Sequence, residues 1–237
     1  MLEIKNLVKM YGNFKALNEV SITINDGEIF GFIGPNGAGK TTTIKSVVGL
    51  IEFEGGEILL DGLDVKQNRL EAKQKIAYIP DNPEIYDNLT GIQYLNFIGD
   101  ICNISKEQRM KDIAKYANMF GITNNLGDMI SSYSHGMKQK LSLISAFIRH
   151  PKLLILDEPF VGLDPKASFD VKELMKEMCA EGSSVFFSTH VLEVAEKLCN
   201  KVAIINKGTI VSSGTIEEVK GDSSLEEVFL EIANKEA

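Results

Sequence analysis

A glycine-rich loop followed by a lysine and a threonine is the part of the sequence best suited to chemistry. It consists of Gly34, Pro35, Asn36, Gly37, Ala38, Gly39, Lys40 and Thr41. The arrangement matches G-x-x-x-x-G-K-[ST], in which backbone N–H groups surround a phosphate because the glycines carry no Cβ. The lysine can reach the β- and γ-phosphates, and the threonine hydroxyl can bind Mg²⁺. A predicted strand precedes this loop and a predicted helix follows it, which is the context that a phosphate-binding loop requires.

Acidic residues and a histidine follow two other apolar stretches. Residues 153–156 predict a buried strand, and Asp157 and Glu158 come directly after it. The aspartate can hold the water shell of a metal ion, and the glutamate can polarise a water molecule that attacks the γ-phosphate. Taken alone, this pair is also compatible with two surface acids at the start of a loop. His190 follows another predicted core strand, at the sheet edge where ligands of open α/β folds bind, and is a candidate γ-phosphate contact rather than a structural histidine.

The elements that must position these residues alternate between strands and helices, which predicts an α/β core. We assign residues 1–82 and 151–211 to this core, together with an antiparallel β subdomain that the alternating N-terminal strands indicate. Residues 83–150 have a helical pattern with a capping serine and a terminal glycine, and we interpret them as an inserted helical subdomain. Helices are predicted in residues 212–237, so the whole chain, residues 1–237, is expected to form one domain.

Composition excludes several classes of protein. The 237 residues are 44% hydrophobic, which is sufficient for a large core, and the net charge is −8 without a basic stripe. We therefore expect no nucleic-acid partner. No apolar run approaches the roughly 20 residues that cross a bilayer, and the N-terminus does not resemble a signal peptide. The chain is thus expected to be cytoplasmic and not inserted in a membrane, with any membrane role supplied by a partner.

Five motifs occur in a fixed order and together resemble the ATP-binding subunits of ABC transporters. They are the phosphate loop, residues 133–139, residues 153–159, residues 162–164 and residues 188–190. The resemblance covers nearly the whole chain and implies a RecA-like P-loop NTPase core that binds ATP and Mg²⁺. It also implies a head-to-tail dimer of two copies or of two paralogous ATPase subunits. Each ATP would lie between the phosphate loop of one chain and the segment 133–139 of the other.

The resemblance also assigns roles to individual residues. The adenine would stack on Tyr11, and Asp164 would cross the dimer interface. Glu158 and His190 would be catalytic. The nucleotide-binding residues would be Tyr11, residues 34–41, Thr42, Ser134 and Gly136, and the metal ligands would be Thr41, Asp81 and Asp157.

Two departures from the family pattern concern the segment 133–139 and Asp81. His135 and Met137 replace a glycine and a glutamine, whereas Ser134 and Gly136, which start a predicted helix and can bind an anion there, are kept. Asp81 stands where the family has a glutamine that binds the metal. Its carboxylate can serve as a metal ligand, or it can cap the turn that follows.

Residues 82–87 resemble the segment through which such subunits contact a transmembrane permease, and Glu84 is the charged residue that we expect to matter there. The combination of motifs looks like the branch that serves exporters. We therefore expect an ATP-hydrolysing motor subunit at the cytoplasmic face of the inner membrane. An ABC ATPase acting on ribosomes or DNA is the alternative, although tandem cassettes and long insertions are missing. A GTPase is disfavoured because Asn206-Lys207 is not followed by the guanine-reading aspartate.

Overall fold

The computed structural model of the chain describes residues 2–83 and 85–234. Ten strands are present in these ranges: β1 Leu2–Tyr11, β2 Phe14–Ile24, β3 Ile29–Ile33, β4 Gly55–Leu60, β5 Leu63–Asp64, β6 Ile76–Ile79, β7 Leu153–Asp157, β8 Ser184–Thr189, β9 Lys201–Asn206 and β10 Thr209–Thr215. They form two sheets, of order β10-β9-β3-β8-β7-β6 and β2-β1-β4-β5. Glu84, the residue expected to matter for docking, lies outside the described residues.

The six-stranded sheet positions the residues of the candidate site. Strands β9, β3, β8, β7 and β6 run parallel, and β10 adds an antiparallel edge. The parallel strands β3, β7 and β8 are buried along their whole length, because helices or the second sheet cover both faces. Their carboxyl ends meet at one edge, which brings the phosphate loop, Asp157 and His190 into the same region.

Nine α-helices surround the sheets within the described ranges: α1 Lys40–Val47, α2 Arg69–Lys75, α3 Gly91–Ile101, α4 Lys106–Met119, α5 His135–Phe147, α6 Pro165–Ala180, α7 Leu192–Leu198, α8 Ile216–Lys220 and α9 Leu225–Asn234. The predicted cap Ser105 accepts a hydrogen bond from the Gln108 amide, and Gly121 follows α4 with φ = 68°. Of the described helices, none is both long and apolar enough to cross a bilayer.

One large core joins the helices α3 to α6 to a face of the six-stranded sheet, and a second fills the space between the two sheets and α1. One boundary and one helix differ from the sequence-based prediction. Residues 212–215 are not helical, because they pair with residues 201–204 of β9 and extend β10 to Thr215. The short helix α2, in the segment assigned to the core, was not predicted. Its residue Ala72 is buried in the second hydrophobic core.

Candidate functional site

The phosphate loop connects β3 to α1 in a conformation that depends on its glycines. Gly37 and Gly39 have φ of 80° and 112°, in the region that residues with a Cβ rarely adopt. A Cβ on Gly34 would lie 2.5 Å from the carbonyl oxygen of Ile205, so only glycine fits there. Gly39 also precedes α1 without a side-chain cap, which leaves the first N–H groups of that helix directed toward the loop. The loop is thus shaped to surround an anion.

Lys40 is buried at the start of α1, and its ammonium group has several partners. Nζ donates to the carbonyl oxygens of Gly34 at 2.6 Å and Pro35 at 3.3 Å. It also lies 3.6 Å from Glu158 Oε1, across the sheet edge. A buried cation needs such partners. The contacts hold the ammonium group inside the loop, where a phosphate oxygen can replace them.

Asp157 is buried at the end of β7. Thr41 Oγ1 donates a 2.7 Å hydrogen bond to Asp157 Oδ2, and the Ser188 hydroxyl donates to Asp157 Oδ1. Both donors sit on elements that flank the sheet edge, α1 and β8. Mg²⁺ prefers hard oxygen ligands, and the hydroxyl of Thr41 and the carboxylate of Asp157 provide them next to the phosphate loop. These two residues therefore fit a magnesium ion.

Glu158 has an unusual backbone and an incompletely paired side chain. Its φ of 50° is in the left-handed region, which is strained for a residue with a Cβ. The main chain is fixed there by a 3.1 Å hydrogen bond from Glu158 N to Ser188 Oγ. Glu158 Oε2 lies 3.0 Å from His190 Nδ1, whereas Oε1 is buried and has no hydrogen-bond partner among the described residues. The carboxylate is held between Lys40 and His190.

Ser188 is the part of this site that the sequence analysis missed. Its hydroxyl donates to Asp157 and accepts from the backbone of Glu158, so it sets the positions of both acidic residues. The only signal in the sequence was a serine at the end of a predicted apolar strand, two residues before His190. The register of β8 against β7, in which Ser188 pairs with Asp157, had to be known to interpret it.

The segment 133–139 forms the start of α5. Ser134 is the N-cap, and its Oγ accepts a 3.3 Å hydrogen bond from Met137 N. Residues 158–164, named here the post-β7 loop, pack against this helix end. A Cβ on Gly136 would lie 3.1 Å from Gly162 O, and one on Gly162 would lie 2.9 Å from His135 Cδ2. The histidine that departs from the family pattern therefore contacts the post-β7 loop.

The post-β7 loop is also attached to α5 through charge. Asp164 is the N-cap of α6, and its Oδ2 lies 2.6 Å from Lys140 Nζ. The hydrogen bond from Lys140 lowers the pKa of the Asp164 carboxyl. In the part of the chain that the structure describes, no hydrogen bond or ion pair links Ser134 or Gly136 to the phosphate loop. The single chain thus brings together Lys40, Thr41, Asp157, Glu158 and His190, but leaves the α5 end separate.

Tyr11 and Asp81 lie at the margin of the site. The Tyr11 ring is 50% exposed at the end of β1, with Lys9 Nζ 5.3 Å from its centroid. Asp81 is exposed, and its Oδ1 accepts a 2.8 Å hydrogen bond from Asn82 N, which is the turn-capping geometry. Burial raises the pKa of the Tyr78 hydroxyl, and the carboxylates of Asp157 and Asp81 raise it further. Both carboxylates are therefore near Tyr78.

A groove of about 740 Å³ separates the core from the helical region. Its apolar wall includes Leu50 after α1, Leu70 in the first turn of α2 and Ile101 at the end of α3. Its basic residues are Lys73 and Arg149, and the Arg149 Nε is buried without a hydrogen-bond partner among the described residues. The groove therefore offers apolar surface together with two cationic side chains.

The fold and the site define a P-loop ATPase. The pattern of the ABC transporter family matches residues 17–161. The chain is 35% identical over 94% of its length to an uncharacterised ABC transporter ATP-binding protein, sll0415, of Synechocystis, and spans 63% of that protein. It is 34% identical over 91% of its length to the linearmycin resistance ATP-binding protein LnrL of Bacillus subtilis, of which it spans 69%.

Solved structures give the same result. An ATP-binding subunit of an ABC transporter superimposes with a TM-score of 0.95 at 33% identity, covering 98% of this chain and 99% of that one. A dimeric post-hydrolysis ATP-binding cassette, MJ0796 with ADP and phosphate, has a TM-score of 0.81 at 22% identity, covers 91% of this chain and 98% of that one, and shares the fold. The chain belongs to the ABC transporter family, as an ATP-binding subunit with ATPase activity.

Proposed function

We propose that this chain is the motor subunit of an ABC exporter and couples ATP hydrolysis to a transmembrane permease that docks in the groove. The groove is the observation that carries the proposal. Its wall contains large apolar residues that are exposed to solvent: Leu70 is 81% exposed and Ile101 is 61% exposed. Such side chains are grouped at protein–protein contacts more often than on free surfaces. Residues 82–87 follow β6, whose Ile76 and Tyr78 line the same groove.

The charge of the groove specifies the docking segment of the permease. Lys73 and Arg149 give the groove positive charge, which favours a partner that carries a carboxylate. Apolar side chains on either side of that carboxylate would cover Leu50, Leu70 and Ile101. The segment 82–87, which follows β6 in the chain, is tied to α5 by an ion pair in which Lys138 Nζ lies 2.6 Å from Asp87 Oδ1. Such a contact would transmit a nucleotide-dependent movement of α5 to the segment 82–87 and so to the permease. We place the chain peripherally at the cytoplasmic face of the inner membrane.

ATP would be bound between two chains, whether two copies or two paralogues. The phosphate loop, Lys40 and Thr42 of one chain would hold the phosphates, while Tyr11 would stack on the adenine. Ser134 and Gly136 of the other chain would contact the γ-phosphate, because a helix N-terminus and a hydroxyl form an anion site. The dimeric arrangement of the MJ0796 cassette supports this proposal.

Hydrolysis would use the adjacent carboxylates for different tasks. Thr41 and Asp157, with Asp81 as a further ligand, would hold Mg²⁺, which supplies charge neutralisation for the phosphates. Glu158 would accept the proton of the attacking water through Oε1, which has the Lys40 ammonium group 3.6 Å away but accepts no hydrogen bond among the described residues. His190, 3.0 Å from Glu158 Oε2, would orient the carboxylate and contact the γ-phosphate. The left-handed backbone of Glu158 and the hydrogen bond from its N–H to Ser188 set where its side chain leaves β7.

The exporter assignment is supported by the relative LnrL, whose name assigns it to linearmycin resistance. Resistance to a compound is compatible with its outward transport. The transported compound is recognised by the permease, so this chain would be common to many possible cargoes.

Substitution of Ile101 by glutamate tests the docking proposal. The change places a charge in the apolar wall of the groove, and we expect recovery of the tagged chain with native membranes to fall at least fivefold while basal ATP turnover persists. Met110 has almost the same exposure, 60% against 61%, but it is absent from the groove wall, so Met110→Glu is the matched control. Equal recovery of both variants contradicts docking in the groove, and co-purification of RNA instead of a membrane protein supports the non-transport alternative.

A further inference from the structure

Gln139 is a polar residue that the mechanism above does not use. Its side chain is fully buried in α5, and neither its amide oxygen nor its amide nitrogen has a hydrogen-bond partner among the described residues. A glutamine amide has two acceptor sites and two donors, and leaving them unpaired in a core is costly. A methionine or leucine would fill the same space without that cost. The amide is therefore expected to have a partner in another conformation of the protein.

The post-β7 loop is the neighbour that can supply this partner. His135 and Gly136 approach Gly162, and Lys140 pairs with Asp164. With about 3.6 residues per turn, Gln139 projects between His135 and Gly136 on the same helix face. The buried amide is thus enclosed on the side of α5 that contacts the post-β7 loop. Phe160, at 5.9 Å from Phe187 in an edge-to-face contact, fixes the middle of this loop on β8.

ATP binding is the event that would move the loop. Its first residue, Glu158, lies 3.6 Å from Lys40 Nζ. A triphosphate at Lys40 competes for the ammonium group and repels the carboxylate, because both are negatively charged. Glu158 must therefore change position, and the change is transmitted to the six residues that follow it.

We infer that Gln139 is a positioning residue for ATP hydrolysis: its amide bonds the main chain of the post-β7 loop when ATP is bound and so fixes Glu158 for catalysis. A backbone carbonyl and an N–H of the loop are the groups that a primary amide can pair with at once. The inference rests on ATP turnover by this chain and not on the identity of the membrane partner. Its failure therefore leaves the docking experiment unaffected.

The substitution Gln139→Met separates a positioning role from a structural one. Methionine has a similar length and no amide, so the variant should be at least as resistant to thermal unfolding as the wild type. With MgATP, kcat should fall at least fivefold while KM changes by less than threefold. The control Leu141→Met alters a fully buried residue on another face of α5 and should leave kcat within twofold. A smaller loss of kcat in a folded Gln139→Met protein overturns the inference.

A second measurement does not depend on the folding of that variant. Backbone amide hydrogen exchange of the full-length Glu158→Gln protein is compared with and without MgATP, because this substitution slows turnover. We expect ATP to protect the amides of residues 160–163 at least tenfold more than those of the turn between β4 and β5. Equal exchange in the two conditions overturns the inference.

Discussion

The two helix N-termini that can bind phosphate, those of α1 and α5, are built in different ways. At α1, the lysine is buried, Thr41 is bonded to Asp157, and Ser188 fixes both acidic residues. At α5, Ser134 is exposed and caps only its own helix, and the surrounding contacts with the post-β7 loop are close packing and one surface ion pair. The first site is complete within one chain. The second has donors but no opposing groups among the described residues, which is the form that the proposed contact with another chain requires.

Removal of Lys40 should have the largest effect, because the α1 site depends on one buried cation. We expect Lys40→Ala to reduce ATP turnover by roughly 10²-fold or more, in line with the loss of a donor aimed at developing charge. Lys45→Ala, on the same helix but outside the loop, is the control. Steady-state phosphate release measures both. Wild-type turnover in Lys40→Ala would remove the basis for assigning the chemistry to α1.

Removal of the Ser134 hydroxyl should have a smaller and more selective effect. The substitution Ser134→Ala is expected to lower turnover about tenfold, while binding of a fluorescent ATP analogue by the α1 site persists. Loss of the helix cap should also cost about 1 kcal/mol of unfolding free energy. Ser105→Ala removes a cap of the same 3.3 Å geometry from α4 and controls for that cost. If both variants lose turnover equally, Ser134 acts only as a cap.

Neutralisation of Asp81 tests whether the α1 site extends beyond Thr41 and Asp157. Asp81→Asn keeps an acceptor for the Asn82 amide and removes the charge. We expect the Mg²⁺ concentration for half-maximal turnover to rise severalfold, because a charged oxygen ligand is lost. Titration of turnover with Mg²⁺ at saturating ATP gives the midpoint. Superimposable curves for the two proteins mean that Asp81 only caps the turn, as its bond to Asn82 shows.

The ion pair of Asp164 with Lys140 should contribute least, because it is half exposed. Asp164→Asn retains the ability to cap α6 and should cost less than about 1 kcal/mol of unfolding free energy at neutral pH. Since folding lowers the pKa of Asp164, this contribution is constant well above the unfolded value of 3.8 and declines as the pH falls below it. Denaturation of both proteins from pH 3 to pH 8 measures the difference. A difference that increases toward pH 3 would contradict the sign of the pKa shift.

The sequence predicted features that depend on local spacing. The α/β core and the ATP-binding subunit class were predicted from strand patterns and motifs and are confirmed. The phosphate loop connects β3 to α1 as predicted, and its role in binding ATP stays a prediction. Ser188 and Gln139 were missed because their environment depends on which strands and helices become neighbours. The assignment of residues 212–215 to the helical C-terminal segment was wrong for the same reason: these residues are small and polar, and only their pairing with β9 makes them a strand.

The oligomeric state of Glu158→Gln tests most directly whether the α1 and α5 sites act together between chains. Light scattering after size exclusion is performed with ATP, with ADP and without nucleotide. The account predicts a dimer only with ATP, and a monomer with ATP when Ser134→Ala is added. A mass that is the same in all three conditions would contradict the sharing of ATP between two chains.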